Sequence, residues 1–266
     1  MGFILIKGSF HLVSGVPDGD SVRFIADDDR LFSLLRGRPV EFRSDGSVQL
    51  RYEGIDTIEK TAIQPLANDS RDKNFELLRE GQDSLSNSPR GYILSRQTDA
   101  NRRPVSFAVS GDTSTQDGAE VFLDDALTRQ SVNYKLVASG YAYTMFYETL
   151  FMEIRQELSN AFLNARSSGL GLHNADASMK GVTLTSRSDL ATIPPIYPKL
   201  WRRLEEYLRS NSSAAGFKQW LESRMPERLS TLSDQRTSIS FDNVIDESGD
   251  TVRLLYSAED MVFRPS

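Results

Sequence analysis

The stretch LRYEGIDTIE (residues 50–59) begins as a strand and ends in a group of polar side chains. Its start alternates apolar and polar residues, which is typical of a strand with one buried face. Arg51, Asp56, Thr57 and Glu59 then bring a cation, two carboxylates and a hydroxyl close together in the sequence. A solvated turn would explain some of these groups, whereas a site that binds a metal ion and a phosphate would explain all of them.

The composition limits the chemistry of such a site. The 266 residues include no cysteine and only two histidines, His11 and His173, which are far apart in the sequence. Disulfides, thiolate metal sites and a cysteine nucleophile are excluded, and a histidine-rich zinc site has little material. Any metal ion is therefore expected to have oxygen ligands, as calcium and magnesium do. The net charge of −6 argues against a nucleic-acid coat protein, but not against an enzyme with one basic pocket.

The sequence shows no targeting or membrane segment. The apolar run in MGFILIKGSF (1–10) is too short for the core of a signal peptide, and a lysine follows it. No stretch reaches the 18 or so apolar residues of a membrane span. We therefore expect a soluble, cytoplasmic protein that does not contact a membrane, although this pattern leaves export open.

Residues 1–173 are predicted to form a mainly β domain with helices packed against it. The hydrophobic periodicity predicts strands in 3–13, 18–27, 39–56 (two short strands around Asp45-Gly46), 91–98, 104–111 and 119–125. It predicts helices over 67–80, 131–140 and 148–169. This order fits a small five-stranded barrel with helices packed at one end, which is the plan of the OB-fold.

The remaining chain is predicted to form a linker and a small α+β unit. Residues 174–195 are rich in serine, threonine and small residues and end in two prolines, which indicates a linker. The unit 196–266 has amphipathic helices predicted over 197–209 and 216–229, the second with an apolar face that includes Met225. Short strands are predicted in 238–244, 251–257 and 260–265, with a turn at 246–250. The apolar helical faces could pack on the barrel, form a dimer or bind a partner.

Several motifs of the first domain occur in a recognisable order. They are DGDSVRF (18–24), the stretch 50–59, RRPVSF (102–107), VNYKLVASGYA (132–142) and ARSSGLGL (165–172). Taken together, these motifs resemble the staphylococcal nuclease (thermonuclease) family over roughly residues 5–173. The resemblance does not extend into the C-terminal third. It implies an OB-fold barrel and cleavage of phosphodiesters in DNA or RNA.

The resemblance also implies a Ca²⁺ site. Its side-chain ligands would be Asp20 and Asp56, and the backbone carbonyl of Thr57 would also face the ion. Asp18 would shape the turn and the outer shell of the site. Carboxylates suit a hard dication that neutralises charge and binds a water molecule.

The resemblance assigns three residues to catalysis. Glu59 would activate the attacking water, and Arg51 and Arg103 would hold the scissile phosphate. These residue types suit the chemistry, because two guanidinium groups can form bidentate bonds to the oxygens of a pentacoordinate phosphorane. A carboxylate within reach of the water can take its proton. The chain departs from the family pattern at Ile58, where the family usually has proline.

The expected substrate is single-stranded DNA or RNA, or the frayed end of a duplex. The family carries a Tyr-Gly pair before its second arginine, and this chain has Asn101 and Arg102 there. Candidate substrate contacts are therefore Arg102, Phe146 and Tyr147, the aromatic residues as stacking platforms for bases. The main hypothesis is a Ca²⁺-dependent phosphodiesterase. The alternative is a weakly active or inactive module of the same kind that binds nucleic acid or protein.

Overall fold

The computed structural model describes residues 2–13, 18–224 and 227–264, and its architecture is mixed α/β. The strands in these ranges are β1 (Phe3–His11), β2 (Arg23–Ala26), β3 (Val48–Gln49), β4 (Arg51–Tyr52), β5 (Ile55–Asp56), β6 (Arg90–Thr98), β7 (Pro104–Ser110), β8 (Glu120–Val121), β9 (Tyr143–Thr144), β10 (Phe146–Tyr147), β11 (Val182–Thr183), β12 (Arg228–Thr231), β13 (Ile239–Ser240), β14 (Ile245–Ser248), β15 (Thr251–Leu254) and β16 (Met261–Phe263). The α-helices are α1 (Leu66–Leu78), α2 (Asp125–Gln130), α3 (Val132–Ala138), α4 (Met152–Ser167), α5 (Pro198–Tyr207) and α6 (Phe217–Glu222).

The largest sheet is nearly closed into a barrel. Its strands follow the order β3-β2-β1-β6-β7-β4, and β8 pairs with the start of β1. All neighbours on this path are antiparallel except β7 and β4. Because β3 and β4 lie in one extended segment, 48–52, the two ends of the path meet. The Leu50 N–H donates to the Val22 carbonyl at 2.9 Å, and the Tyr52 N–H donates to the Asp20 carbonyl at 3.1 Å.

Aromatic side chains fill the buried face of this sheet. Phe3, Phe10, Phe24 and Phe107 have no solvent exposure. The rings of Phe10 and Phe24, cross-strand partners in β1 and β2, lie 5.1 Å apart. The rings of Phe3 and Phe107 lie 5.8 Å apart, edge to face. Such pairs contribute packing beyond the area that they bury, which makes the barrel a rigid support for the segments at its rim.

The predicted helices of the first domain are present with shorter bounds. The helix expected over 148–169 is α4, and its face of Ile154, Leu158 and Phe162 is buried, as its amphipathic spacing requires. Helices α3 and α4 pack together, and α1 packs on α3 and β7. No helix within the described ranges has both the length and the apolar character needed to cross a membrane.

The C-terminal third is joined to the first 173 residues by strand pairing. Strand β16 pairs in parallel with β10, so that Val262 lies opposite Phe146. The Ser159 hydroxyl on α4 also donates to the Glu259 carbonyl at 2.9 Å. The segment 174–195, expected to be a linker, contributes β11, which pairs with β15. The division of the chain into domains stays a prediction.

Three elements differ from the sequence-based expectation. The predicted helix over 216–229 is α6 only to Glu222, and β12 follows it; Met225 lies outside the described residues. Strand β12 pairs with β16 and buries Leu229 completely, and this tertiary pairing outweighs a helical apolar pattern. The turn expected at 246–250 is instead partly strand β14, paired with β15. The strand expected before Asp45 is reduced to one bridge between Phe42 and Val48.

Candidate functional site

A cavity of about 680 Å³ lies at the rim of the barrel, beside the segment 51–60. It gathers side chains that are scattered through the sequence. Eight of the ten residues predicted for the site line it: Asp18, Asp20, Arg51, Asp56, Thr57, Glu59, Arg103 and Tyr147. The other two, Phe146 and Arg102, do not. Residues of the C-terminal third, Lys199 and Arg202, complete the wall.

The parallel pairing of β4 and β7 brings the two predicted arginines together. In this register Arg51 lies opposite Val105, and Arg103 directly precedes β7. Parallel strands have their equivalent ends at the same edge of a sheet, so both guanidinium groups reach the cavity from one side. This placement depends on a pairing between residues more than fifty positions apart.

The two arginines differ in how they are held. Arg103 donates from Nε to Asp99 at 2.8 Å and forms an ion pair with the same carboxylate at 2.7 Å. The side chain of Arg51 has no hydrogen bond or ion pair with any described residue. Burial opposes the charge of Arg51, but the nearby carboxylates of Asp56 and Asp20 outweigh it and raise the pKa of Arg51. Arg51 is therefore a permanent cation with unused donors in the cavity.

A glycine turn aims Asp56 into the cavity. Gly54 separates β4 from β5 with a φ of +80°, a left-handed conformation that favours glycine. A Cβ at this position would also lie 2.7 Å from Leu158 Cδ1 on α4. The chain turns here, and β5 then pairs with β9, so that Asp56 lies opposite Tyr143.

Asp20 faces Asp56 from the turn before β2. The close approach depends on Gly19, because a Cβ there would lie within 2.7 Å of the Thr57 side chain. The Asp20 residue is 8 % exposed, and its carboxylate accepts one long hydrogen bond, of 3.4 Å, from the Thr57 hydroxyl. Burial and the neighbouring carboxylates of Asp18 and Asp56 raise its pKa well above the ordinary value.

Asn74 of helix α1 positions this turn, and no pattern in the sequence pointed to it. Its amide oxygen accepts from the Tyr52 hydroxyl at 3.0 Å, and its amide nitrogen donates to the Asp18 carbonyl at 3.2 Å. Asn74 is completely buried. It therefore connects the end of β4 to the acidic turn through two side-chain hydrogen bonds, of which the one to Tyr52 is buried.

Arg202 of helix α5 holds both central carboxylates, and sequence reasoning missed it. Its Nη2 and Nη1 donate to the two oxygens of Asp56 at 2.6 and 3.1 Å, and Nη1 also donates to Glu59 at 2.6 Å. Burial acts to raise the pKa of Asp56, but Arg202 and Arg51 outweigh it and the pKa is lowered. Arg202 is thus a permanently charged group in contact with the predicted metal ligand, Asp56, and the predicted base, Glu59.

Lys199, one turn earlier on α5, is a second basic group in the wall. Its ammonium pairs with Glu227 and lies 4.4 Å from the centre of the Phe263 ring. Burial lowers the pKa of Lys199 to about 8. Lys199 therefore stays mostly protonated at neutral pH but loses its proton at a lower pH than the arginines around it.

Glu59 is the more accessible of the two carboxylates bound to Arg202, with a half-buried side chain. Burial raises its pKa, and the charge of Arg202 offsets this only in part. Ile58 beside it is buried and shares a small apolar cleft with Ile193 and Trp201 of the C-terminal third. Ile58 thus supplies apolar surface toward that third.

The remaining predicted residues have separate places. Tyr147 is half-buried in the cavity wall. Asp18 accepts from the Ser21 hydroxyl and lies 3.6 Å from the ammonium of Lys60. Phe146 is completely buried in the core, because β10 is covered by the C-terminal third, so its ring cannot stack on a base. Arg102 is exposed outside the cavity and donates to the Pro39 carbonyl at 2.9 Å.

The carboxylate oxygens of Asp20 and Asp56 are of the type that a hard cation binds. Asp20 is nearly buried, faces the cavity and has an oxygen without a hydrogen-bond partner among the described residues. Its pKa is raised first by burial and then by the charges of Asp18 and Asp56, and a nearby cation would favour its ionised form. Asp56, the second carboxylate, is bound by Arg202. In the ranges that the structure describes, no group of three or more Asp, Glu, His or Cys side chains forms a metal-binding cluster.

A comparison with known protein families finds no family that matches the chain, and a comparison with curated proteins finds no match either.

Proposed function

We propose that this protein is a phosphodiester hydrolase that acts on DNA or RNA. One observation carries the proposal: Arg51, Asp56, Glu59 and Arg103 converge on a single cavity from separate parts of the chain. Two guanidinium groups, a buried carboxylate pair and a half-buried carboxylate together provide what phosphodiester cleavage needs.

Each residue has a defined role in the proposed reaction. The unpartnered donors of Arg51 bind the non-bridging oxygens of the phosphate, and Arg103, oriented by Asp99, binds them from the same edge of the sheet. A water oxygen adds to phosphorus as the ester P–O bond breaks, Glu59 takes the proton of the water, and the ester oxygen of the departing strand takes a proton from solvent. Asp20, Asp56 and the Thr57 carbonyl would hold Ca²⁺, which would neutralise charge on the phosphate.

The fold and the cavity suit a single strand. The nearly closed sheet with helices at its end supports an OB-fold barrel like that of the staphylococcal nuclease family. Tyr147 offers an aromatic face beside the arginines, and stacking on such a ring tolerates any base. The net charge of −6 gives no long-range attraction for a polyanion, so we expect weak, salt-sensitive binding.

The test is cleavage of labelled single-stranded DNA and RNA across a Ca²⁺ titration. Arg51→Lys keeps the charge but loses the bidentate geometry, and Glu59→Gln keeps the size but loses the base; we expect each to lower kcat about 100-fold or more. Arg43→Lys, an exposed arginine outside the cavity, is the matched control and should cleave like the wild type. No metal-dependent cleavage by the folded wild type would overturn the proposal.

A second candidate is a binding module without catalysis, and the position of Arg202 favours it. A guanidinium on both Asp56 and Glu59 occupies the metal ligand and the base at once. In that case Arg51 and Tyr147 would still bind a single strand. Binding of labelled single-stranded DNA without cleavage, lost in Arg51→Ala, would support this function over hydrolysis.

A further inference from the structure

The contact between helix α5 and the acidic residues of the cavity is unlike the other ion pairs of the site. Arg202 bridges two carboxylates, Asp56 and Glu59, through three hydrogen bonds of 2.6 to 3.1 Å. The Asp56 side chain is 3 % exposed, whereas that of Arg202 is 37 % exposed. The carboxylate is therefore fixed inside the protein, and the guanidinium reaches it from the solvent side.

A divalent cation and this guanidinium need the same oxygens. A cation bound between Asp20 and Asp56 must take an oxygen of Asp56, and both of those oxygens accept from Arg202. A dication would also repel the guanidinium, because like charges at such short range repel strongly in a partly desolvated site. The two cations are thus alternatives at Asp56.

Arg202 can leave without unfolding its helix. Helix α5 is anchored by Leu200 and Leu204, both completely buried, and by Trp201, whose indole N–H donates to the Leu190 carbonyl at 3.2 Å. None of these contacts involves the guanidinium. Since the Arg202 side chain is partly exposed, a rotamer change would place its charge in water.

We propose that Arg202 is an intramolecular counter-cation that masks a divalent-cation site at Asp20 and Asp56, and that the ion binds only when the guanidinium leaves Asp56 and Glu59. The inference rests on the proposed function for the identity of the ion. It adds that the C-terminal third sets the cation affinity of the site. Loss of the Arg202 contact also returns Glu59 to solvent, so cation binding and release of the base are one event.

The test is direct titration of the full chain with Ca²⁺, by calorimetry and by the Ca²⁺-induced rise in Tm. The wild type, Arg202→Gln and Arg202→Lys are compared. We expect Arg202→Gln to bind Ca²⁺ about tenfold tighter or more, which corresponds to about 1.4 kcal/mol, since the charge-assisted hydrogen bonds of the guanidinium no longer have to be broken. Arg202→Lys, which keeps the charge but cannot bridge both carboxylates, should lie between the two.

The matched control is Arg209→Gln, which removes an arginine paired with Glu205 outside the cavity and should keep the wild-type affinity. Circular dichroism confirms that each variant is folded, and Arg202→Lys serves if Arg202→Gln does not fold. Equal Ca²⁺ affinity in the folded variants and the wild type, or no binding in any of them, overturns the inference. Tighter binding without cleavage would overturn the proposed function alone, and cleavage with unchanged affinity would overturn this inference alone.

Discussion

Arg202 and Asp56 are 146 residues apart in the sequence and form a two-bond ion pair in the wall of the cavity. This pair makes the C-terminal third a part of the candidate site. It also joins helix α5 to β5 by charge, in addition to the strand pairing between β10 and β16. The chemistry of the cavity therefore depends on both ends of the chain.

The first prediction concerns the asymmetry of this pair. Arg202→Gln leaves a buried carboxylate, whereas Asp56→Asn leaves a cation that can turn to water. We expect Arg202→Gln to lower the free energy of unfolding by about 1–3 kcal/mol without divalent ions, and Asp56→Asn to lower it by less. Urea unfolding of both variants and of the double variant measures this. Additive losses in the double variant would show that the pair is not coupled.

The second prediction concerns Asn74. Asn74→Ala removes the acceptor of the Tyr52 hydroxyl and the donor to the Asp18 carbonyl, and it leaves the buried Tyr52 hydroxyl unsatisfied. The expected loss is about 2–3 kcal/mol of unfolding free energy. Tyr52→Phe removes only one of the two bonds and is the comparison, with a smaller loss. Equal losses in chemical denaturation would mean that the bond to Asp18 does not stabilise the turn.

The sequence predicted the barrel part of the site better than the rest. Arg51, Asp56 and Glu59 occur in one short stretch, so a local reading grouped them, whereas Asp20 was assigned to the site only through the resemblance. Arg103 required a resemblance, because its approach to Arg51 depends on the parallel register of β4 and β7. Periodicity indicates which residues form strands, but it does not give this register.

Arg202 could not be found by the same reasoning. Helix α5 carries Lys199, Arg202 and Arg203 outside its apolar face, and the amphipathic pattern does not show which of them reaches the cavity. Only the docking of α5 selects Arg202 for the cavity and pairs Arg203 with Glu206 and Glu227 instead. Phe146, whose aromatic character suggested a stacking role, is likewise buried, on a strand that pairs with β16 of the C-terminal third. Contacts between distant segments thus determine both that Arg202 faces the cavity and that Phe146 is inaccessible.

The third prediction concerns the turn at Gly54. Gly54→Ala adds a Cβ at a φ of +80° and 2.7 Å from Leu158 Cδ1. Gly46→Ala is a matched control, because its φ is +77° and no atom lies within 4 Å of the added Cβ. We expect a loss of about 1–2 kcal/mol for Gly46→Ala and about 1–3 kcal/mol more for Gly54→Ala. Thermal unfolding of both measures the difference, and equal losses would exclude a role for Leu158 packing.

The fourth prediction concerns Glu53, the residue between β4 and the turn at Gly54. Glu53 is 6 % exposed and lies 3.5 Å from the guanidinium of Arg96. Burial raises the pKa of Glu53 to about 7, and Arg96 opposes this rise only in part. Arg96 does not need an ionised Glu53, because it stacks on the rings of Phe3 and Phe151 and donates to the Thr149 carbonyl at 2.7 Å.

The sign of the pH effect follows from this raised pKa. Between the ordinary value of 4.5 and about 7, the folded chain keeps a proton that the unfolded chain has lost. Unfolding therefore releases a proton, and the contribution of Glu53 to stability, full below pH 4.5, is lost as the pH rises through about 7. Glu53→Gln removes this dependence.

Urea unfolding at several pH values between 4.5 and 7.5 tests the predicted pH dependence of the contribution of Glu53 to stability. Relative to the wild type, Glu53→Gln should gain about 1–3 kcal/mol of unfolding free energy across this range, because the neutral amide never pays the cost of a buried charge. Parallel curves for the two proteins would mean that Glu53 is ionised throughout and that Arg96 compensates its burial fully. A gain would instead show that Glu53, which directly precedes the Gly54 turn at the site, is a neutral carboxyl group in the folded protein at mildly acidic pH.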